Sequence, residues 1–239
     1  MDPVADRLFL EITRRYAPPP LAREDVAIAL RLAQVEPGKP LADLGCGYGR
    51  HLHALVEEGY AHPIGIDRSR LLLREAAVQA RSARLIRADL RSLPLHADSL
   101  AAAFCFYSSM FLGTDADALC ALREAARVLR PGGSLVLTTD NPLRLAATPR
   151  SRYEDTVPGL GRVEEESVWD QASSVDRVTR RLRPPGGEEL SATFSIRYYA
   201  PAELAGLALG AGLALRRLEP DSPLTEDTPQ LIALLEKVP

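Results

Sequence analysis

The sequence predicts an α/β protein, a mostly parallel sheet with helices wound on both faces, and three observations carry that expectation. From Leu41 onward short apolar runs alternate with stretches of helical periodicity, the order that builds a parallel sheet. Leu100–Phe106 is almost continuously apolar, as expected of a strand buried on both faces. The first run, Leu41-Ala42-Asp43-Leu44, leads into Gly45, Gly47 and Gly49 and then directly into an amphipathic segment. That is a strand, a tight turn and a helix, with the turn stripped of side chains so that a ligand can approach its backbone.

Taken in order, Val4, Leu8, Leu10 and Ile12 recur at roughly helical spacing in residues 1–16, before Pro18-Pro19-Pro20. A second helix is expected over Ala22–Gln34, stopping near Pro37-Gly38. After the glycine turn, Leu52, Leu55 and Val56 form one helix face that ends at Gly59. Pro63–Asp67 and Arg84–Asp89 read as strands that each finish in an acid, and Ser69 is placed to cap the helix between them. Asp115 is expected to cap a helix whose face includes Ala118, Leu122, Ala125 and Leu129, and Arg130-Pro131-Gly132-Gly133 turns into a fifth strand, Ser134–Thr139.

Residues 144–197 change character. Val163–Trp169, Ser174–Leu182 and Leu190–Tyr198 read as strands, and local turns such as Pro184-Pro185-Gly186-Gly187 favour antiparallel pairing. A helix after Pro201 and strands at Leu213–Leu218 and Leu231–Leu235 complete the chain. The expected organisation is a single domain: a helical cap over 1–37, a core over 38–143 and 198–239, and a β insertion over 144–197.

Composition bounds the function. The chain has 239 residues, 46% hydrophobic and 26% charged, with a net charge of −3, so no global basic field attracts nucleic acid or an anionic membrane. No apolar run approaches the ~20 residues that span a bilayer. Asp2, Asp6 and Glu11 interrupt the first 16 residues, against a signal peptide. Cys46, Cys105 and Cys120 have neither C-x-x-C spacing nor an even framework, and reduced thiols in a cytoplasmic protein are expected. Lysine occurs only at Lys39 and Lys237, so the 29 basic residues are nearly all arginine. Nothing marks a metal site.

Leu44-Gly45-Cys46-Gly47-Tyr48-Gly49 preceded by Asp43, Gly65-Ile66-Asp67, Ala88-Asp89, Val128-Leu129-Arg130-Pro131-Gly132-Gly133 and Ala211-Gly212-Leu213 occur in that order. Together they resemble the class I S-adenosylmethionine (SAM) methyltransferases over roughly 38–143 and 198–239. Gly49-Arg50-His51 and Arg197-Tyr198-Tyr199 are similar to the small-molecule type with a substrate-side insertion. The resemblance implies a Rossmann-like, doubly wound, mostly parallel seven-stranded sheet with one antiparallel strand near its end and an antiparallel β insertion on the substrate side. It implies S-adenosyl-L-methionine as cofactor and a small-molecule acceptor.

On that reading Gly45, Gly47 and Gly49, with Asp43 and Cys46 between and before them, receive the amino-acid end of SAM near a helix N-terminus. Asp67, about 20 residues beyond the first glycine, is placed to accept both ribose hydroxyls. Asp89 would accept from the adenine amino group, with Arg68, Leu90 and Tyr107 as further cofactor contacts. Tyr16, Phe111, Asn141, Trp169, Arg197 and Tyr198 are the acceptor-side candidates. His51, His53, His62 and His96 lie away from the ends of strands four and five. An acceptor that needs little base catalysis, a nitrogen or a carboxylate, is therefore expected.

Two other classes compete. An NAD-dependent oxidoreductase needs G-x-G-x-x-G, but Arg50 stands where its third glycine would fall, and Asp89 and Pro131-Gly132-Gly133 are left without a role. A non-catalytic SAM-binding protein makes the same demands on the chain as an enzyme. An RNA methyltransferase is disfavoured by the acidic balance, and no Asn/Asp-Pro-Pro-aromatic motif follows Phe106 to support base methylation.

Overall fold

The computed structural model describes residues 3–221 and 223–238. Two helices come first, α1 (Pro3–Tyr16) and α2 (Pro19–Ala33). The second begins three residues earlier than the apolar pattern suggests, because a proline in the first helical turn has no amide to lose and starts the helix instead of breaking it. Then β1 (Leu41–Leu44), α3 (Arg50–Glu57), β2 (Ile64–Asp67), α4 (Arg70–Gln79), β3 (Arg84–Arg87), β4 (Leu100–Cys105), α5 (Asp115–Val128) and β5 (Leu129–Asp140) follow.

These strands, with β10 (Leu213–Glu219) and β11 (Gln230–Lys237) after α7 (Pro201–Gly210), form one seven-stranded sheet in the order β10-β11-β5-β4-β1-β2-β3. β11 runs antiparallel to both β5 and β10, and the other neighbouring pairs are parallel. The α/β class and its single reversed strand are as the sequence reads.

Each face of the sheet has its own core. Leu44, Ile66, Ala103, Leu135 and Leu137 pack with Leu122, Ala125 and Leu129 and with Leu204 and Ala208 of α7. On the other face Phe104, Phe106 and Val136 pack with Val26 and Ala29 of α2 and Leu52 and Leu55 of α3. Burying one such leucine or phenylalanine side chain contributes about 1.5–3 kcal/mol. The alanines of β4 keep both helix layers close to the central strands. Gly65 does the same from β2, since a side chain there would collide with Leu52.

Some boundaries move for local reasons. Ser69 caps α4 as expected, accepting from the Leu72 amide at 3.2 Å. The cap of α5 is Thr114, one residue before Asp115, in a reciprocal box with Asp117. β5 starts at Leu129, and Arg130–Gly133 bulges from it: Gly132 has a φ of 70°, and the register against β4 jumps from Leu100↔Leu129 to Ala102↔Ser134.

The region after β5 begins with a short helix, α6 (Pro142–Ala147). A second, antiparallel sheet of four strands follows: β6 (Arg150–Val157), β7 (Gly161–Asp170), β8 (Val175–Arg183) and β9 (Leu190–Arg197). Three of these strands are those read from sequence. β6 and α6 are not, since β6 is an edge strand exposed along nearly its whole length and carries no alternating apolar signal. Leu8 and Ile12 of α1 pack on this sheet against Val157, Val163, Leu182 and Ala192, while Leu10 meets Tyr48 and Leu72. α1 therefore bridges the glycine turn and the second sheet.

Candidate functional site

In the seven-stranded sheet the chain leaves β1 toward β2 on one side, while β4 lies on the other. Open α/β sheets bind ligands at such a switch point, outside the carboxyl ends of the strands. Here the segment after β1 is the glycine turn, and the segment after β4 is Phe106-Tyr107-Ser108.

Gly45, Gly47 and Gly49 all have positive φ. A side chain at Gly45 would lie 2.5 Å from Ser109 Cβ, and one at Gly49 would lie 2.8 Å from Ala76 Cβ. The turn is thus wedged between the end of β4 and α4. At Gly47 the nearest neighbour is the Phe9 ring of α1, at 3.4 Å. Asp67 holds the turn from the end of β2: its carboxylate accepts from the Gly47 amide at 2.9 Å and from the Ser69 amide at 2.7 Å. Each oxygen keeps a second lone pair for a further donor. Burial raises the Asp67 pKa, its two amide donors pull it back down, and the charge of Asp6 adds to the rise.

Two polar atoms beside this turn lack protein partners among the described residues: Asp43 Oδ2 and Arg50 Nη1, both buried. Burial pushes Asp43 up to about 8, against the pull of Arg50. An unpartnered buried carboxylate and an unpartnered guanidinium N–H are each costly. A ligand carrying both an ammonium and a carboxylate would satisfy both. The amino-acid end of SAM is such a group, so the residues present fit it. Asp6 Oδ1 is a third unpartnered buried atom, in a side chain whose other oxygen accepts from Ser69 Oγ at 2.5 Å.

Tyr107 and Ser108 both have left-handed backbone conformations, which is uncommon for non-glycine residues and is held here from two sides. The Tyr107 amide donates to Thr138 Oγ1 at 2.8 Å, and its hydroxyl donates to Asp25 of α2 at 2.9 Å. Arg50 lies over the Tyr107 ring, 4.6 Å from its centre. His51 Nε2 is 3.1 Å from the same Asp25 oxygen, and its ring stacks on Phe106 at 4.0 Å. Burial lowers His51 to about 4, with Asp25 opposing, so the imidazole is neutral at pH 7. It holds Asp25, which in turn holds Tyr107.

The other predicted residues separate. Cys46 Sγ lies in the apolar cluster beneath α3 and donates to the Gly47 carbonyl at 3.8 Å. Asp89 and Arg91 form a close ion pair, and Arg91 also reaches Asp117, which ties down the loop after β3. Arg68 lends its carbonyl to Arg87 Nε at 3.0 Å, and Leu90 packs at the rim of the core.

On the acceptor side, Trp169 and Tyr198 meet with ring centres 6.3 Å apart, and Tyr198 Oη donates to Asp140 at 3.2 Å. The other four acceptor-side candidates are engaged by the protein itself. Asn141 caps α6, its Oδ1 accepting from the Leu143 amide, and both Nδ2 hydrogens go to the Thr225 and Thr228 carbonyls. Arg197 pairs with Glu203 and Asp115 and lies over Tyr199. Phe111 is buried edge-on to Tyr199 in the main core. Tyr16 donates to Asp155 at 2.7 Å and stacks edge-on with Tyr153 on β6. Residues that the motifs did not flag are Asp6, Asp25, Ser108, Thr139, Asp140 and Asp176.

Residues 41–133 match the family model described as a methyltransferase domain. Over that stretch, from β1 into the start of β5, the chain is similar to methyltransferase domains. It is 34% identical over 121 residues to an uncharacterised 37.1 kDa protein in transposon TN4556 of Streptomyces fradiae, a stretch covering 48% of this chain and 34% of that protein. The chain therefore spans about a third of that curated relative's length. Among solved structures it resembles the CcbJ methyltransferase of Streptomyces caelestis, with a TM-score of 0.79, 22% identity, and 93% and 91% of the two chains covered. It also resembles SAM-bound CalS10, an amino pentose methyltransferase from Micromonospora echinaspora, with a TM-score of 0.66, 22% identity, and 91% and 92% covered.

Proposed function

We propose that the protein transfers the methyl group of SAM to a small-molecule acceptor, at nitrogen or carboxylate. The observation that carries this reading is the pair of unpartnered buried groups, Asp43 Oδ2 and Arg50 Nη1, beside the glycine turn. In this reading Asp43 takes the ammonium and Arg50 the carboxylate of the amino-acid end, Asp67 the ribose hydroxyls, and Asp89 the adenine amino group. Bound SAM supplies a sulfonium methyl already activated for in-line displacement, the carbon–sulfur electron pair remaining on sulfur as a thioether.

The protein's own task is alignment and exclusion of water. Phe9 covers the turn, and Tyr107 is fixed by Asp25 where β4 ends. The likeness to a methyltransferase domain over residues 41–133, and to an amino pentose methyltransferase among solved structures, supports a small acceptor. Calorimetric titration with S-adenosylhomocysteine and separately with NAD tests the reading. Micromolar binding of the first and none of the second is expected, and binding of NAD alone would overturn it.

A further inference from the structure

Beyond the cofactor contacts, a second polar array lies where β4 and β5 end against the antiparallel sheet. Ser108 Oγ and Thr139 Oγ1 are 2.9 Å apart, and Tyr198 donates to Asp140. Thr139, Ser108 and Tyr198 are buried, whereas Asp140 is open to solvent. Desolvation by the protein packed around it raises the Asp140 pKa, while the Tyr198 hydrogen bond and the charge of Arg144 pull it down. The Trp169 ring closes one side against Tyr198. Asp176 of β8, buried and bonded by Ser167 Oγ at 2.6 Å, adds a second negative charge near Asp140.

The charges around Asp140 do not cancel. Glu165 of β7 is taken by Arg180, and Arg144 of α6 exerts a favourable field on Asp140 without an ion pair. Among the described residues neither Asp140 nor Asp176 forms a salt bridge. Two carboxylates, three hydroxyls and an indole thus gather at this junction, with Arg144 nearby but no ion pair to either carboxylate. Such a wall repels a carboxylate acceptor and suits an ammonium, through charge-assisted hydrogen bonds and the aromatic faces.

We propose that Asp140, held by Tyr198 at the junction of the two sheets, anchors the protonated amine of the acceptor. This rests on the methyltransferase reading above and narrows its nitrogen-or-carboxylate choice to nitrogen. Before the amine can be methylated it must lose a proton, and Asp140 is the adjacent acceptor for it, passing it on to water. The Ser108 and Thr139 hydroxyls are then available to a hydroxyl of the same small molecule.

The test is ligand binding followed by NMR, with and without saturating S-adenosylhomocysteine, using glucosamine, N-acetylglucosamine and glucuronate as probes. Glucosamine should bind best. Asp140→Asn should weaken it by about tenfold, in line with loss of a charge-assisted bond, and Tyr198→Phe by a few-fold. S-adenosylhomocysteine affinity should stay within about twofold, which also shows that the variants fold. Asp176→Asn provides a second acidic variant, with a smaller loss of glucosamine alone.

Equal glucosamine binding by wild type and Asp140→Asn, preference for glucuronate, or no probe binding in either state would overturn the assignment. Failure of the wild type to bind S-adenosylhomocysteine while glucosamine still depends on Asp140 would sink the methyltransferase reading and leave the amine site standing.

Discussion

The two halves of the crevice are built in different ways. The cofactor half is nearly contiguous in sequence: Asp43, the three glycines, Arg50 and Asp67 lie within one strand–helix–strand unit. The proposed acceptor half assembles Ser108, Asp140, Trp169, Asp176 and Tyr198 from the ends of two parallel strands and from three strands of another sheet. The first half is fixed by steric demands on backbone, where glycine alone fits. The second depends on side chains that any of several sequences could supply. Recognition of the cofactor can thus stay constant on such a frame while the acceptor changes.

If that contrast is right, substitutions in the first half should strike stability and cofactor binding together. Gly49→Ala places a side chain at a φ of 86° and 2.8 Å from Ala76 Cβ. A loss of about 3 kcal/mol is expected from left-handed strain plus overpacking, and denaturant unfolding measures it. A melting curve superimposable on wild type would break the comparison at its strongest point.

Next in size, Asn141→Ala should cost ~2 kcal/mol, because it removes a helix cap and two bonds to the 225–228 loop. Its effect on acceptor affinity should be small once folded protein is compared. A selective loss of acceptor binding at unchanged stability would restore Asn141 to the acceptor site.

His51 gives a pH test of the network that holds Tyr107. Its folded pKa, about 4, lies below the unfolded value near 6.5. The unfolded state therefore binds the extra proton first. Stability from this residue is complete above pH 6.5 and drains away as pH falls toward 4, by on the order of 2–3 kcal/mol. His51→Gln should flatten that slope between pH 6.5 and 5. An unchanged slope would show that other groups carry it.

Arg197→Ala should have the smallest effect, about 1 kcal/mol or less, because its partners Asp115 and Glu203 are largely solvated. Its acceptor affinity should match wild type. A large selective loss would mean that Arg197 leaves its ion pairs to meet substrate.

The contrast also explains what the sequence made legible. Strand–helix alternation, the buried run at Leu100 and the spaced motifs marked the parallel core and its cofactor turn, since those features are local and periodic. Asp140 was invisible because it merely ends a strand, and its partner Tyr198 lies far along the chain. Asn141 and Arg197 attracted attention as polar residues near strand ends, yet caps and ion pairs use the same residue types. Arg50 was noticed within Gly49-Arg50-His51 and for not being glycine. Its buried, unpartnered Nη1 needed the three-dimensional arrangement to become evident.

The most direct measurement is calorimetric binding of S-adenosylhomocysteine and of 5′-methylthioadenosine, which lacks the amino-acid end, to wild type and to Arg50→Gln. The account predicts a loss of tenfold or more for S-adenosylhomocysteine, about the worth of a charge-assisted bond, and unchanged affinity for 5′-methylthioadenosine. It also predicts proton release when S-adenosylhomocysteine binds wild type below pH 8, as Asp43 gives up the proton that burial lets it keep. Equal loss for both ligands, or none for either, would contradict the placement of the amino-acid end between Asp43 and Arg50.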